Sequence, residues 1–135
     1  MTRDRLDGYR EAAEAAGFPW DDVLIAVCAH NDVTEAEQIT GALLTSATPP
    51  DAIAAMSDPQ AAGVIQAART AGLLISDDLA VTGWDDAAVA GQLDLTTVAQ
   101  SLRDQGSACA HAVLGEKSNS YATSWSIVRR ASTRG

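Results

Sequence analysis

Cysteine is nearly absent: Cys28 and Cys109 are the two in 135 residues. With no CxxC pair and no dense spacing, a disulfide scaffold is excluded. Their apolar surroundings predict buried, reduced thiols that pack as small hydrophobes, which leans towards a reducing compartment. Basic residues are scarce too, nine against 18 acids, for a formal net charge of −9. The imbalance is uneven: residues 1–115 carry 17 acids and five arginines, a charge of −12, whereas residues 116–135 carry +3. A body this acidic repels a nucleic-acid backbone, so any service to DNA requires a part outside this sequence. No apolar run approaches the ~20 residues of a membrane span. Acids and arginines interrupt the first 20 residues, unlike a secretory signal. HExxH, Walker, GxGxxG and GxSxG patterns do not occur. Two isolated histidines and two isolated cysteines give no metal-ligand spacing, so neither metal nor cofactor is expected. There is no internal repeat and no low-complexity linker.

What is present is an α/β pattern: 47% apolar and 20% charged residues, in a length that suits one domain with a real core. The chain is organised around residues 49–86. Residues 52–56 (AIAAM) form a short apolar run between Pro49-Pro50 and Ser57-Asp58-Pro59, which suits a buried strand. Ser57 or Asp58 can cap a helix, with proline in its first turn. Ala61, Val64, Ile65, Ala68 and Ala71 recur at helical spacing until Gly72. Residues 79–81 resume a strand, and Gly83-Trp84-Asp85-Asp86 leaves it. Such a unit crosses over right-handed, and ligands bind open parallel sheets beyond the carboxyl ends of the strands. Ser57, Asp58, Asp85 and Asp86 therefore fall at the expected ligand edge.

The rest of the chain fits round this unit. Leu6, Tyr9, Ala13 and Ala16 make one face of a helix over residues 4–16, stopped by Gly17. Residues 23–28 (VLIAVC) are the strongest strand signal, apolar on both faces as the interior of a covered parallel sheet requires. His30-Asn31-Asp32 is its exit loop, and residues 33–46 follow as a helix. Residues 87–94 read as loop or short helix, 95–98 as a strand, and 101–114 as a helix with Leu102, Cys109 and Val113 on one side. Residues 115–120 form a polar turn, 121–128 a final strand, and 129–135 a polar tail. Trp20 and Trp125 are expected in packing, and His111 in a structural role. An alternating α/β chain usually opens with a strand; this one opens with a helix.

Several ordered segments carry a resemblance to a known family. They are Arg5-Leu6-Asp7-Gly8-Tyr9-Arg10, Pro49-Pro50-Asp51-Ala52-Ile53, Ser57-Asp58 with Ala62-Gly63, Gly72, and Asp77-Asp78-Leu79-Ala80-Val81. Gly83-Trp84-Asp85-Asp86, Leu95-Thr96-Thr97-Val98-Ala99-Gln100 and Val128-Arg129-Arg130-Ala131-Ser132-Thr133-Arg134 complete the set. In this order, over nearly the whole chain, they resemble the effector-binding region of the LacI/GalR family of bacterial transcription regulators, whose fold is shared with periplasmic sugar-binding proteins. Ser76 stands where that family usually has proline, and Trp84 where it usually has phenylalanine or tyrosine.

The resemblance implies a parallel sheet flanked by helices, as in the C-terminal subdomain of a type I periplasmic-binding-protein-like domain. Residues 1–97 correspond to that subdomain. Residues 98–120 correspond to a crossover that would pack on an N-terminal subdomain, and residues 121–135 to a final strand and tail. The helix-turn-helix, the hinge and the N-terminal subdomain of the family have no counterpart here, so the chain reads as the C-terminal part of such a regulator. The implied partners are a small polar effector such as a sugar, a second copy in a homodimer, DNA only through an absent helix-turn-helix domain, and no membrane. The implied compartment is the cytoplasm, and catalysis is not expected.

By the same resemblance Arg5 reaches the effector with its planar fork of donors. Asp85 accepts hydrogen bonds from effector hydroxyls on two oxygens. Ser57 touches ligand, caps its helix, or does both; Asp58 reads as a cap or a subdomain contact. Asn31 aligns roughly with a position where relatives place an aromatic that stacks on a sugar, and asparagine cannot stack. Solvated arginine, capping acid and plain surface loop are the ordinary readings of Arg5, Asp85 and Asn31. Two other functions stay open: a fragment of a periplasmic sugar-binding protein, and a small α/β enzyme using Asp85 and Asp86. The latter pair has no nucleophile or base at supporting spacing.

Overall fold

The structure, a computed structural model, describes residues 2–115 and 124–134. The chain opens with α1 (Thr2–Ala15). Gly17, at φ 86°, takes the left-handed turn that ends it, and a single 3-10 turn follows at Trp20–Asp22. Next come α2 (Val33–Leu44), β1 (Ala52–Ala54), α3 (Asp58–Thr70), β2 (Ala80–Thr82) and a short α4 (Ala88–Gln92). The chain closes with β3 (Thr97–Gln100), α5 (Leu102–Val113) and β4 (Trp125–Val128).

The strand–helix–strand unit forms as its sequence predicts. β1 and β2 pair in parallel, with Ile53 opposite Val81. Ser57 is the cap of α3: its hydroxyl accepts from the Gln60 amide at 3.3 Å, and proline sits in the first turn. The buried face of α3 is Ala61, Val64, Ile65 and Ala68, and it meets Leu79, Val81 and Leu95. These small and branched side chains are the core. α2 lies along α3, and Gly63 makes the approach possible, because a Cβ there would come within 2.8 Å of Ala36 Cβ and 2.9 Å of Glu37 N.

β2 continues beside β3. Parallel bridges join Thr82 to Thr96 and Asp85 to Ala99, carried by Gly83 N–H to Thr96 O and Asp85 N–H to Val98 O, both 2.9 Å. β4 then adds antiparallel to β3, with Val98 opposite Ile127. The parallel sheet thus gains an antiparallel edge, which sequence patterning had left open.

Four sequence expectations need correction. Residues 23–28 form no ladder; they lie at the surface, with Leu24, Ile25 and Val27 exposed, Val27 by 80%. A run apolar on both faces needs cover on both sides, and the exposure of Leu24, Ile25 and Val27 shows that the described residues do not supply it. The segment after β4 is no loose tail. Ser132 is buried, its hydroxyl donating to Val81 O at 2.6 Å and accepting from Thr96 N at 2.8 Å, while Val81 N–H donates to Ser132 O. Neither cysteine is fully buried: Cys28 is half-buried and Cys109 exposed. Trp125 is 69% exposed on β4 rather than packed. Residues 116–123, which include most of the polar turn and the start of the expected last strand, lie outside the described residues. No helix among those described is long and apolar enough to cross a membrane.

Candidate functional site

The carboxyl ends of β1 and β2 open onto one edge, and three loops meet there: residues 29–32, 55–57 and 83–87. Their arrangement rests on a buried acid. Asp58, fully buried at the start of α3, accepts the Ala87 amide at 2.6 Å on one oxygen and the Thr97 hydroxyl at 2.6 Å on the other. Its own N–H donates to Trp84 O at 3.0 Å. A glycine is required opposite: a Cβ at Gly83 would collide with Asp58 Oδ1 and lie 2.8 Å from Leu95 Cδ2. Asp58 is therefore a latch tying α3 to the loop after β2 and to β3, where the sequence suggested a cap or subdomain contact.

The latch presents Trp84, Asp85 and Asp86 in a fixed order. Asp85 (φ 100°) and Asp86 (φ 50°) both stand in the left-handed region, which costs a non-glycine residue about 1–3 kcal/mol and concentrates at functional sites. Their side chains have different fates. Asp86 pairs with Arg130 at 2.7 Å, and that arginine also holds Leu95 O at 2.8 Å, so Asp86 is a structural anion. Asp85 stays exposed and receives one hydrogen bond, from Gln100 Nε2 at 3.0 Å. One oxygen of Asp85 is held, and the other has no partner among the described residues. Gln100 is a residue that sequence reasoning missed; its segment carries part of the family resemblance, but nothing in its type signalled contact with Asp85.

Arg5 reaches this edge from the first turns of α1. Its Nη1 donates to Met56 O at 2.8 Å, and its guanidinium carbon lies 4.1 Å from the centre of the Trp84 ring. Among the described residues, no carboxylate pairs with it. The Trp84 indole N–H is buried without a hydrogen-bond partner among the described residues, a cost of about 1–3 kcal/mol. Tyr9, one turn further along α1, lines with Thr82, Trp84, Val98 and Ile127 a largely apolar hollow of about 230 Å³. Burial holds the Tyr9 phenol above its ordinary pKa despite the Arg5 charge nearby.

Asn31 and Ser57 are joined directly, the Ser57 hydroxyl donating to Asn31 Oδ1. Of the four candidate residues, Asn31 and Ser57 touch directly, whereas Arg5 and Asp85 are connected only through their neighbours. Asn31 meets Ser57, whose neighbour Met56 holds Arg5, and Arg5 stacks on Trp84, which precedes Asp85. Ser57 both caps α3 and faces this loop. Beside them His30, Asp32 and Glu35 bring ligand atoms within 4.8 Å of one another. The Glu35 carboxylate is already engaged with the Ala29 and His30 amides, each at 2.7 Å, and these bonds hold its pKa below the ordinary range. The Cys28 thiol is raised, first by burial and then by the Glu35 and Asp32 charges, so it is a poor thiolate.

Residues 1–133 match the periplasmic binding protein-like domain family. The chain is 37% identical over 106 residues to the HTH-type transcriptional regulator DegA of Bacillus subtilis, covering 77% of this chain and 31% of that protein. It is 37% identical over 105 residues to the ribose operon repressor of Halalkalibacterium halodurans, covering 76% and 30%. Among solved structures, a LacI family transcriptional regulator from Lactobacillus casei with bound sucrose superposes with a TM-score of 0.81 at 26% identity, over 98% of this chain and 51% of that one. The chain therefore spans about a third of the curated relatives it matches and half of the solved structure.

Proposed function

This chain belongs to the periplasmic binding protein-like domain family, and from that premise we propose that it is the C-terminal part of the effector-binding domain of a LacI/GalR-type transcription regulator. The observation that carries the reading is Arg5: a half-buried cation with no carboxylate partner among the described residues, held at the strand edge on Trp84, the residue before Asp85. The guanidinium supplies edge donors, and the Asp85 oxygen not held by Gln100 supplies an acceptor, for effector hydroxyls. One relative is a ribose operon repressor and one solved neighbour holds bound sucrose, which supports a sugar as the effector class.

Residues 1–97 serve as the C-terminal subdomain in this reading, and residues 98–120 as the crossover. The α5 face supports that division. Leu102 and Val113 are exposed, the latter by 87%, α5 buries no residue, and Cys109 lies out as well. A complementary N-terminal subdomain would close over the effector, and a second copy would complete a dimer. DNA would be met through a helix-turn-helix, in the cytoplasm, by the whole regulator; the relative named HTH-type supports this. The role is recognition, without catalysis.

Amide-shift mapping of the labelled chain with D-ribose, D-glucose and sucrose at millimolar concentration tests the site. Perturbations should centre on Arg5, Asn31, Ser57 and residues 84–86, and Arg5→Ala and Asp85→Ala should each abolish them. Shifts that are absent for all three sugars, or scattered away from this edge, would refute the effector reading.

A further inference from the structure

We infer that Trp84 is a positioning residue that immobilises Arg5 for effector contact, by carrying its guanidinium on the indole face. The inference rests on the effector reading of Arg5 and adds a residue that reading does not use.

The indole carries an N–H that any ligand or protein acceptor could take, yet it is buried with no partner among the described residues. Phenylalanine would fill the same face without that penalty, and the LacI/GalR resemblance leads one to expect phenylalanine or tyrosine here. What indole provides beyond them is the strongest aromatic surface for a cation. Arg5 occupies that surface, its guanidinium carbon 4.1 Å from the ring centre.

The platform is itself fixed. Trp84 O accepts the Asp58 amide at 3.0 Å, Gly83 before it is packed on Asp58, and Asp85 after it is held in the left-handed region. Arg5 is restrained twice, by stacking and by the Nη1 bond to Met56 O. Stacking consumes the guanidinium's face and leaves its in-plane donors usable. Of five N–H groups one is engaged with Met56, and the remainder have no partner among the described residues. A long side chain that would otherwise lose its rotamer freedom on binding has lost it beforehand.

The test follows the Arg5 side chain by NMR in the full chain, as wild type, Trp84→Phe and Trp84→Leu. In the wild type the Arg5 δ-methylene signals should lie upfield of their random-coil positions, through the indole ring current, and Arg5 Nε relaxation should report a rigid group. Trp84→Phe should give an intermediate shift and intermediate mobility, with an unchanged or higher Tm because the unpaired N–H is gone. Trp84→Leu should release Arg5 entirely and weaken D-ribose binding about three- to tenfold. Random-coil Arg5 shifts in the wild type, or equal Arg5 mobility in wild type and Trp84→Phe, would overturn the inference. So would equal ribose affinity in a folded Trp84→Leu chain with a mobile Arg5. A wild type with a rigid, upfield-shifted Arg5 that binds no ribose would instead count against ribose as effector and leave the stack standing.

Discussion

Asp58 and Glu35 show how two acids of the same sequence class acquire different duties. Asp58 holds two donors from separate elements in a fully buried place. In Asp58→Asn one oxygen becomes an amide that cannot accept, leaving a buried donor unmatched. Urea denaturation should show a loss of about 2–3 kcal/mol. Its helix-start position was legible in the sequence; its partners, 29 and 39 positions away, were not, because nothing local reports which loop folds over a cap. Glu35 is surface-lying, with a pKa depressed first by the Ala29 and His30 amides. A carboxylate with a lower pKa folded than unfolded stabilises fully above its unfolded value and loses that contribution as pH falls towards the folded one. The stability gap between wild type and Glu35→Gln should thus be constant near neutrality and shrink in acid below the ordinary glutamate pKa. A gap that widened in acid would contradict the assignment. Arg5, Ser57 and Asp85 were nameable as candidates from ordered family segments and Asn31 from a rough alignment, whereas the contacts of Trp84 with Arg5 and of Gln100 with Asp85 are tertiary and no local pattern signals them.

Between elements, the seam of α2 with α3 is set by one hydrogen atom's worth of space. Gly63→Ala places its new methyl against Val33 O and Ala36 Cβ, with helix backbone on both sides, so the helices must separate. Thermal unfolding should show a loss of about 1–3 kcal/mol, whereas an equivalent Gly41→Ala in α2, with open space at its Cβ, should be neutral or stabilising. Four of the five helices were anticipated from apolar spacing and stop signals to within a few residues; α4 falls in the stretch after Asp86 that was left as loop or short helix. The strands were less faithful. Residues 52–56 and 79–81 found each other, but the more apolar 23–28 found no ladder. Apolarity measures how much a segment gains from cover; pairing depends on which neighbours arrive first and fit, and that is a property of the whole chain.

At the scale of the molecule, exposed apolar side chains include Leu24, Ile25 and Val27, then Leu102, Val113 and Leu114 in and just after α5, and Trp125 and Ile127 on β4. Surfaces of this kind favour association. Light scattering should give a mass that rises with concentration, and Leu102→Asp with Val113→Asp should lower it; a monomer mass at every concentration would show that these faces are tolerated bare. The C-terminal staple sets a different constraint. Ser132 joins Val81 to Thr96 from 51 and 36 positions downstream. Removing its hydroxyl, in Ser132→Ala, strands a buried amide and a buried carbonyl and should cost about 2–4 kcal/mol in denaturant titration. During synthesis, at roughly 5–20 residues per second, β2 waits about 3–10 s for the residue that fastens it. For that interval the nascent sheet has its helices but not its clasp, and the ribosome-bound chain is the form on which a holding chaperone or a protease would act.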